Sequence, residues 1–338
     1  MKRIVQLFGI SALLFSAGWP LKSFQEPQPP QDPQPSLPSF PSLPPPIADK
    51  NDFTIRAQVN LVLLDVSVRD REGGFVSDLP KDAFTVYEEG KAQTITEFAN
   101  SDIPVTVGLI VDNSGSMRPK KPEVITAGLV FIQASNPLDE TFVINFNDKV
   151  RRGLPPILPF TDDVAKLRSA LTRTDPEGRT ALYDAVIAGL DQLEMGRRDK
   201  KTLIVVSDGG DNISTHSFGE MMHRVLESHA TIYTIGLFDE QDKDKNPEVL
   251  RKMAQVSGGV VYLPKKIEEV VPICRQIAKD IRTRYTIGYI PSGADQRGTR
   301  HVRVAVSTAD HRRLIARTRS SYLVPGGQGE AESAERRK

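Results

Sequence analysis

The chain has 338 residues, enough for two domains of ordinary size or for one domain carrying an insertion. Its 44 Lys and Arg balance 43 Asp and Glu to a net charge of +1, with the two signs interleaved, so nothing calls for nucleic acid as a partner. A single cysteine, Cys274, excludes an intrachain disulfide and a cysteine-based zinc site. The five histidines show no HxxxH or HExxH spacing, which leaves an all-oxygen site for a hard cation as the open metal chemistry.

The N-terminus, MKRIVQLFGISALLFSAGWP, joins the positive pair Lys2 and Arg3 to an uncharged run from Ile4 to Ala17, with small residues at Ser16 and Gly18. It reads as a secretory signal peptide over residues 1–18, with an uncleaved anchor as the alternative, and so implies an exported protein: periplasmic, cell-surface or secreted. After cleavage no run is apolar long enough to span a membrane. Residues 19–50 form a Pro-rich linker, densest from Pro27 to Pro46, whose extended polyproline geometry suits a spacer.

Residues 51–102 are β-rich. TIRAQVNLVLLDVSVRD alternates apolar and polar positions, but its phase flips around Leu61–Leu64, the mark of a bulge or of a strand changing sheets. REGG (Arg71–Gly74) reads as a hairpin turn, and FTVYEEGKAQTITEF as a second hairpin turning at Glu88–Lys91.

Residues 103–284 change character. VTVGLIVD, ETFVINFND, KTLIVVSDG, ATIYTIGLF and GVVYLP are short apolar runs that read as strands. Between them lie helical stretches. VITAGLVFIQA is apolar on most sides, and DDVAKLRSAL is amphipathic. TALYDAVIAGLDQLE places Leu182, Ala185, Val186, Gly189, Leu190 and Leu193 on one face. SFGEMMHRVLESH follows, then NPEVLRKMAQVSGG with an Asn cap, a Pro at the first turn and a Gly stop, and finally EEVVPICRQIAKDI. On this last helix Cys274 falls on the apolar stripe, so it reads as a core residue. Strands with continuous apolarity, flanked by helices, predict a mostly parallel sheet covered on both faces.

Residues 285–325 return to β, with YTIGYIPS, RHVRVAVST and RRLIARTRSSYLV read as three strands and Arg312, Arg313, Arg317 and Arg319 as a wet face. Neither flank is long enough to bury a core alone. The expected fold class is therefore α/β: a Rossmann-like doubly wound, mostly parallel sheet inserted in, or flanked by, a small β-sandwich built from both flanks. Residues 326–338 read as a disordered polar tail.

In open parallel sheets ligands bind at the carboxyl ends of the strands. There the first α/β strand ends in Asp112-x-Ser114-x-Ser116, and the KTLIVVSDG strand in Ser207-Asp208-Gly209-Gly210-Asp211. A third loop, EGRT, sets Thr180 before a helix. Two carboxylates and three hydroxyls, without His or Lys, suit a hard cation. Each residue also has a structural reading: Asp112, Ser114, Ser116 or Thr180 as helix caps, Asp208 as the acid of a tight turn, and Asp211 as solvated loop.

DNSGSM, GRTALYDA and VVSDGGDN, in this order and on these elements, resemble the von Willebrand factor A domain over about half of the chain. The resemblance implies a metal-ion-dependent adhesion site formed by Asp112, Ser114, Ser116, Thr180 and Asp208. It further implies a bound Mg²⁺ (or Mn²⁺ or Ca²⁺) and a protein ligand whose Asp or Glu completes the coordination. The flanks, from VNLVLLDVSV to IARTRSSYLVP, are similar to bacterial exported proteins related to that family. The function so implied is an exported metal-dependent protein-binding module rather than an enzyme. Two other readings stand beside it: a structural or envelope-assembly protein whose ion only staples loops, and a metal-dependent hydrolase. The hydrolase needs a general base, and none of the three loops contains a His; GxSxG is absent as well. In related inserted domains the last helix moves with ligand binding, and here that helix runs from Glu268 to Arg284 straight into the strand at Tyr285.

Overall fold

The computed structural model describes residues 61–238, 245–292, 298–308 and 313–324. The signal peptide, the Pro-rich linker, the part of the first β-rich stretch before Leu61, residues 239–244 and the C-terminal tail lie outside them. In chain order the strands are β1 (Val62–Arg69), β2 (Phe84–Glu88), β3 (Lys91–Gln93), β4 (Ile95–Ala99), β5 (Val105–Asp112), β6 (Glu140–Phe146), β7 (Val150–Arg152), β8 (Lys200–Ser207), β9 (Thr231–Gly236), β10 (Val261–Tyr262), β11 (Tyr285–Tyr289), β12 (Gly298–Val306), β13 (Ile315–Arg317) and β14 (Ser321–Val324). The helices are α1 (Lys121–Ala134), α2 (Val164–Thr172), α3 (Leu182–Glu194), α4 (Phe218–Glu227), α5 (Pro247–Ser257) and α6 (Val270–Arg282). Among the described residues no helix is long and apolar enough to cross a membrane.

β5, β6 and β9 are buried at every position. A strand covered on both faces has no wet side, which is why these segments are unbroken apolar runs. They belong to a six-stranded sheet of order β10-β9-β8-β5-β6-β7, parallel except for β7, which returns antiparallel along β6. α1 packs with α2 and α6, and α4 packs with α3 and α5, giving the two helical layers of a doubly wound fold. The face of α3 predicted from its period, Leu182 to Leu193, is the buried one. The chain leaves β5 toward β6 and later returns to place β8 on the other side of β5. The strand order therefore reverses between β5 and β8, and a crevice opens at their carboxyl ends.

The helix ends show their chemistry. Asp163 Oδ1 accepts the N–H groups of Ala165 and Lys166 at the start of α2, and Ser217 with Glu220 forms a capping box on α4. α5 starts with Pro247 and stops at Gly258, whose φ of +82° belongs to the left-handed region. Its expected Asn cap differs in kind. Asn246 holds the position without a side-chain bond, and its N–H donates instead to the Asp208 carbonyl at 3.1 Å.

The flanks make two antiparallel sheets, β13-β1-β11-β4 and β14-β12-β2-β3. Each draws strands from both sides of the α/β segment. They share one core, with Leu64, Val66 and Val68 of β1 and Tyr285 and Ile287 of β11 against Val86 of β2 and Val302 and Val304 of β12. Along β12 burial alternates, as a half-wet antiparallel strand requires. The turn between β2 and β3 has positive φ at Glu89 (47°) and Gly90 (77°), the twist that a two-residue hairpin needs. After Gln93 the chain changes sheets, and β4 pairs with β11.

Two expectations for the last flank need correction. RRLIARTRSSYLV is not one strand but two, β13 and β14, in different sheets. The arginines are not all wet either: Arg313 and Arg317 are exposed, but Arg319 is buried. Its Nη2 donates to the carbonyl oxygens of Ser228 (2.7 Å) and Leu226 (3.4 Å), satisfying the end of α4. Arg312 lies outside the described residues. α6 and β11 join without a linker through the buried Arg284, which donates from Nη2 to the Gly258 carbonyl (2.9 Å) and to Asp280 Oδ2 (3.3 Å), and from Nε to the Tyr233 hydroxyl (3.1 Å).

Candidate metal centre

Asp112 is the last residue of β5 and Ser207 the last of β8, so the two central strands end side by side. Asp112 is fully buried. Its Oδ1 accepts the Ser114 N–H (2.8 Å) and its Oδ2 accepts the Ser207 hydroxyl (2.7 Å). Burial pushes its carboxyl above the usual Asp range, against the opposing pull of the Ser114 and Ser207 hydrogen bonds and of the Lys120 charge. A buried acid raised in this way is one that a nearby cation would stabilise.

The chain then enters a short 3₁₀ segment, Gly115–Lys120, which carries Ser116. The Ser114 and Ser116 Oγ atoms lie 3.2 Å apart, and Ser116 Oγ donates to Asp208 Oδ2 at 2.9 Å. Asp208 Oδ1 accepts the Gly210 N–H at 3.0 Å, so Asp208 also serves the tight turn. Gly209 within that turn has a φ of +79°, and a Cβ there would sit 2.2 Å from the Asn246 carbonyl oxygen. Only glycine lets the start of α5 close over this loop.

Of the five expected residues, Asp112, Ser114, Ser116 and Asp208 converge through this run of side-chain contacts. Thr180 is tied by its backbone to Asn212, four positions after Asp208. Its N–H donates to Asn212 Oδ1 (3.0 Å) and its carbonyl accepts the Asn212 N–H (3.0 Å), while its hydroxyl makes no hydrogen bond among the described residues. Thr180 is buried and does not cap α3; Ala181 holds that position. The carboxylate serving the start of α3 belongs to Asp211, read from sequence as solvated loop. Its Oδ2 accepts the Tyr183 N–H (2.9 Å) and the Ser214 hydroxyl (2.5 Å). The local signal was an Asp with a Ser three residues on, a pairing that bonds backbone readily, but the helix it serves lies in another part of the chain. The first and third loops are tied as well, by Gly115 N–H to the Gly178 carbonyl (3.1 Å) and Glu177 N–H to the Asn113 carbonyl (2.9 Å).

The oxygen set fits a hard divalent cation. Metal–oxygen distances of about 2.1 Å in an octahedron put neighbouring ligand oxygens about 3 Å apart, close to the 3.2 and 2.9 Å found between the two Ser hydroxyls and between Ser116 and Asp208. Among the described residues no group of three or more His, Cys, Asp and Glu side chains is arranged to hold a metal, so a site here must use hydroxyls. Cys274 takes no part: it is buried on α6, and burial pushes its thiol up to about 12. Beside the site, Lys121 Nζ donates to Asn113 Oδ1, and burial lowers its ammonium to about 8.

Residues 107–210, which include all five expected residues, match the von Willebrand factor type A domain family. No curated protein matches the sequence. Among solved structures the chain is similar to a von Willebrand factor type A protein from Catenulispora acidiphila, at 15% identity over 79% of this chain and 75% of that one, with a TM-score of 0.49. It is also similar to an aerotolerance-related membrane protein from Bacteroides fragilis, at 14% identity over 52% and 98%, with a TM-score of 0.42. A third similarity is to the vWF domain of the type V pili tip protein Mfa5 from Porphyromonas gingivalis, at 13% identity over 54% and 96%, with a TM-score of 0.42. The family match and the doubly wound sheet together make the α/β part of this chain a von Willebrand factor type A domain.

Proposed function

We propose that this domain is a divalent-metal-dependent protein-binding module of an exported protein, with Asp112, Ser114, Ser116, Thr180 and Asp208 holding Mg²⁺ or Mn²⁺. The observation that carries the reading is the contact run Ser114–Ser116–Asp208 above the buried Asp112, at the strand-order reversal of the sheet. When bound, the ion supplies a positive centre that a partner's carboxylate can join. The chain's own part is to hold oxygens at ligand spacing, to keep Asp112 dry beneath them, and to lock the loops. Ser116 is only half-buried and Gly115 is exposed, which leaves the first loop open to a partner.

The alternative, an ion that merely staples the three loops, is disfavoured by what already ties them. The Gly115–Gly178, Glu177–Asn113 and Thr180–Asn212 bonds join them without an ion. The test is calorimetric titration of Mg²⁺ and Mn²⁺ into the chelator-treated chain, beside Asp112→Ala. Saturable heat in the wild type, weakened at least tenfold in the variant, is the expected result. Equal heats in both, or none in either, would sink the site. A pull-down from the host's envelope with and without chelator then tests the partner: a protein retained equally in chelator is not held through the ion.

A further inference from the structure

The amino end of the six-stranded sheet, opposite the candidate metal centre, faces the sandwich across a cleft of about 460 Å³. Its apolar floor is Val260 and Val261 from the α/β domain and Ala316 from the sandwich, all half-buried; Val302 and Val304 border it with side chains turned into the sandwich core. Three guanidinium groups stand around it, Arg251 of α5, Arg303 of β12 and Arg317 of β13, and among the described residues no carboxylate lines it. All three arginines are exposed. Arg251 pairs with Glu248 one turn earlier, and Arg303 lies over the Tyr87 ring at 4.3 Å. Partial burial, and then the Arg69 and Arg284 charges, pull Arg317 below the ordinary arginine value, with the Asp280 carboxylate opposing them. In a chain whose net charge is only +1, this is a local excess of positive charge.

Three strand edges meet the same cleft. Among the described residues β10 is the last strand of its sheet and pairs only with β9. Thr234 N–H donates to the Val260 carbonyl, so by strand alternation the peptide groups of Val261 turn the other way, toward the cleft. β13 is likewise the last strand of its sheet. On β12, Val302 N–H donates to the Ser320 carbonyl, away from β2, and Val304 points to that same side, whereas β14 pairs with β12 only over Gly298–His301. Thr318, which also lines the cleft, carries a buried hydroxyl with no partner among the described residues. Exposed strand edges are templates for another strand, and natural proteins cover, charge or use them.

We infer that this cleft binds an extended segment of a partner protein with alternating acidic and apolar side chains, added as a strand along β10. The apolar floor takes one face of such a segment, and Arg251, Arg303 and Arg317 take its carboxylates. The proposal is independent of the metal centre, so binding should persist in chelator.

The probe is a fluorescein-labelled eight-residue peptide of alternating Glu and Val, titrated by anisotropy into the full chain in chelator, with a Lys–Val peptide as control. Saturable binding of the acidic peptide alone is expected, weakened at least tenfold in the Arg303→Glu/Arg317→Glu double variant and at least fivefold in Val261→Pro, which removes an edge N–H without changing charge. Melting curves of both variants establish that they fold. Equal binding of the Lys–Val peptide, no binding at millimolar protein, or an unchanged affinity in the double variant would overturn the inference. Loss in the double variant but not in Val261→Pro would overturn strand addition and leave a simple anion patch, which inorganic phosphate would then occupy competitively.

Discussion

The two ends of the parallel sheet bury polar groups in opposite ways. At the carboxyl end, acids and hydroxyls follow directly on apolar strands: the Ser207 hydroxyl donates to Asp112 across adjacent strand ends, and the Ser116 hydroxyl donates to Asp208. At the amino end the buried groups are an arginine, an acid and a phenol from different elements. Arg284, Asp280 and Tyr233 bond to each other, Arg69 of β1 approaches Asp280 Oδ2 at 3.9 Å, and Asp280 Oδ1 keeps no partner among the described residues. The first end holds the oxygens that the proposed cation would join. The second holds the domain to the sandwich, and its charges are met by one another and by carbonyl and phenol groups of the fold. A ligand site and a structural joint therefore differ less in burial than in which groups remain unsatisfied, and whether what could satisfy them can arrive from outside.

Removing the acid at the joint should have the largest effect. Asp280→Ala leaves Arg284 buried without its ion partner and should cost about 3–5 kcal/mol in urea unfolding. A loss under about 1 kcal/mol would show that the joint is not a charge-dependent contact. Next is another buried acid of the amino end, Asp139, which accepts the N–H groups of Val105 (2.8 Å) and Asn136 (3.1 Å) and which burial raises from 3.8 to about 6. Because its folded value is raised, the stability tied to its protonation is complete below about 4 and is lost as pH climbs through about 6. Wild type should therefore gain on Asp139→Asn by roughly 2 kcal/mol between pH 7.5 and pH 4.5, read from unfolding midpoints. A difference that stays flat with pH would place the Asp139 carboxyl in a wetter setting. The smallest effect belongs at the carboxyl end. Ser116→Ala, measured in chelator, should change stability by under about 1 kcal/mol while cutting Mg²⁺ affinity at least tenfold. A large stability loss without metal would turn the carboxyl end into a second structural joint.

The carboxyl end was legible because position and residue type agree there. DNSGSM and VVSDGG follow unbroken apolar runs, and a buried strand that ends in acids and hydroxyls is rare unless those groups have work to do. Asp211 escaped notice because what it satisfies, the Tyr183 N–H, lies 28 positions earlier in the chain. The amino end carried no such mark. Asp280 sits in KDIR near a helix end, where a charged residue is ordinary, and Arg319 sits among arginines that alternate with apolar residues as a wet strand face does. Nothing local distinguishes Arg319 from Arg317, yet one is buried against the end of α4 and the other is exposed.

By itself the sequence determined the elements and their class, because the periods of apolar residues, the caps and the turns are short-range physics. Unbroken strands demanded two covering layers, and flanks too short for a core demanded one another. Tertiary structure alone decided that Thr180 is tied through its backbone to Asn212, that RRLIARTRSSYLV splits between two sheets, and that arginines and strand edges gather at one cleft. Those outcomes depend on which distant surfaces come together, and burial, charge pairing and edge exposure are set by that encounter rather than by any residue's neighbours in the chain.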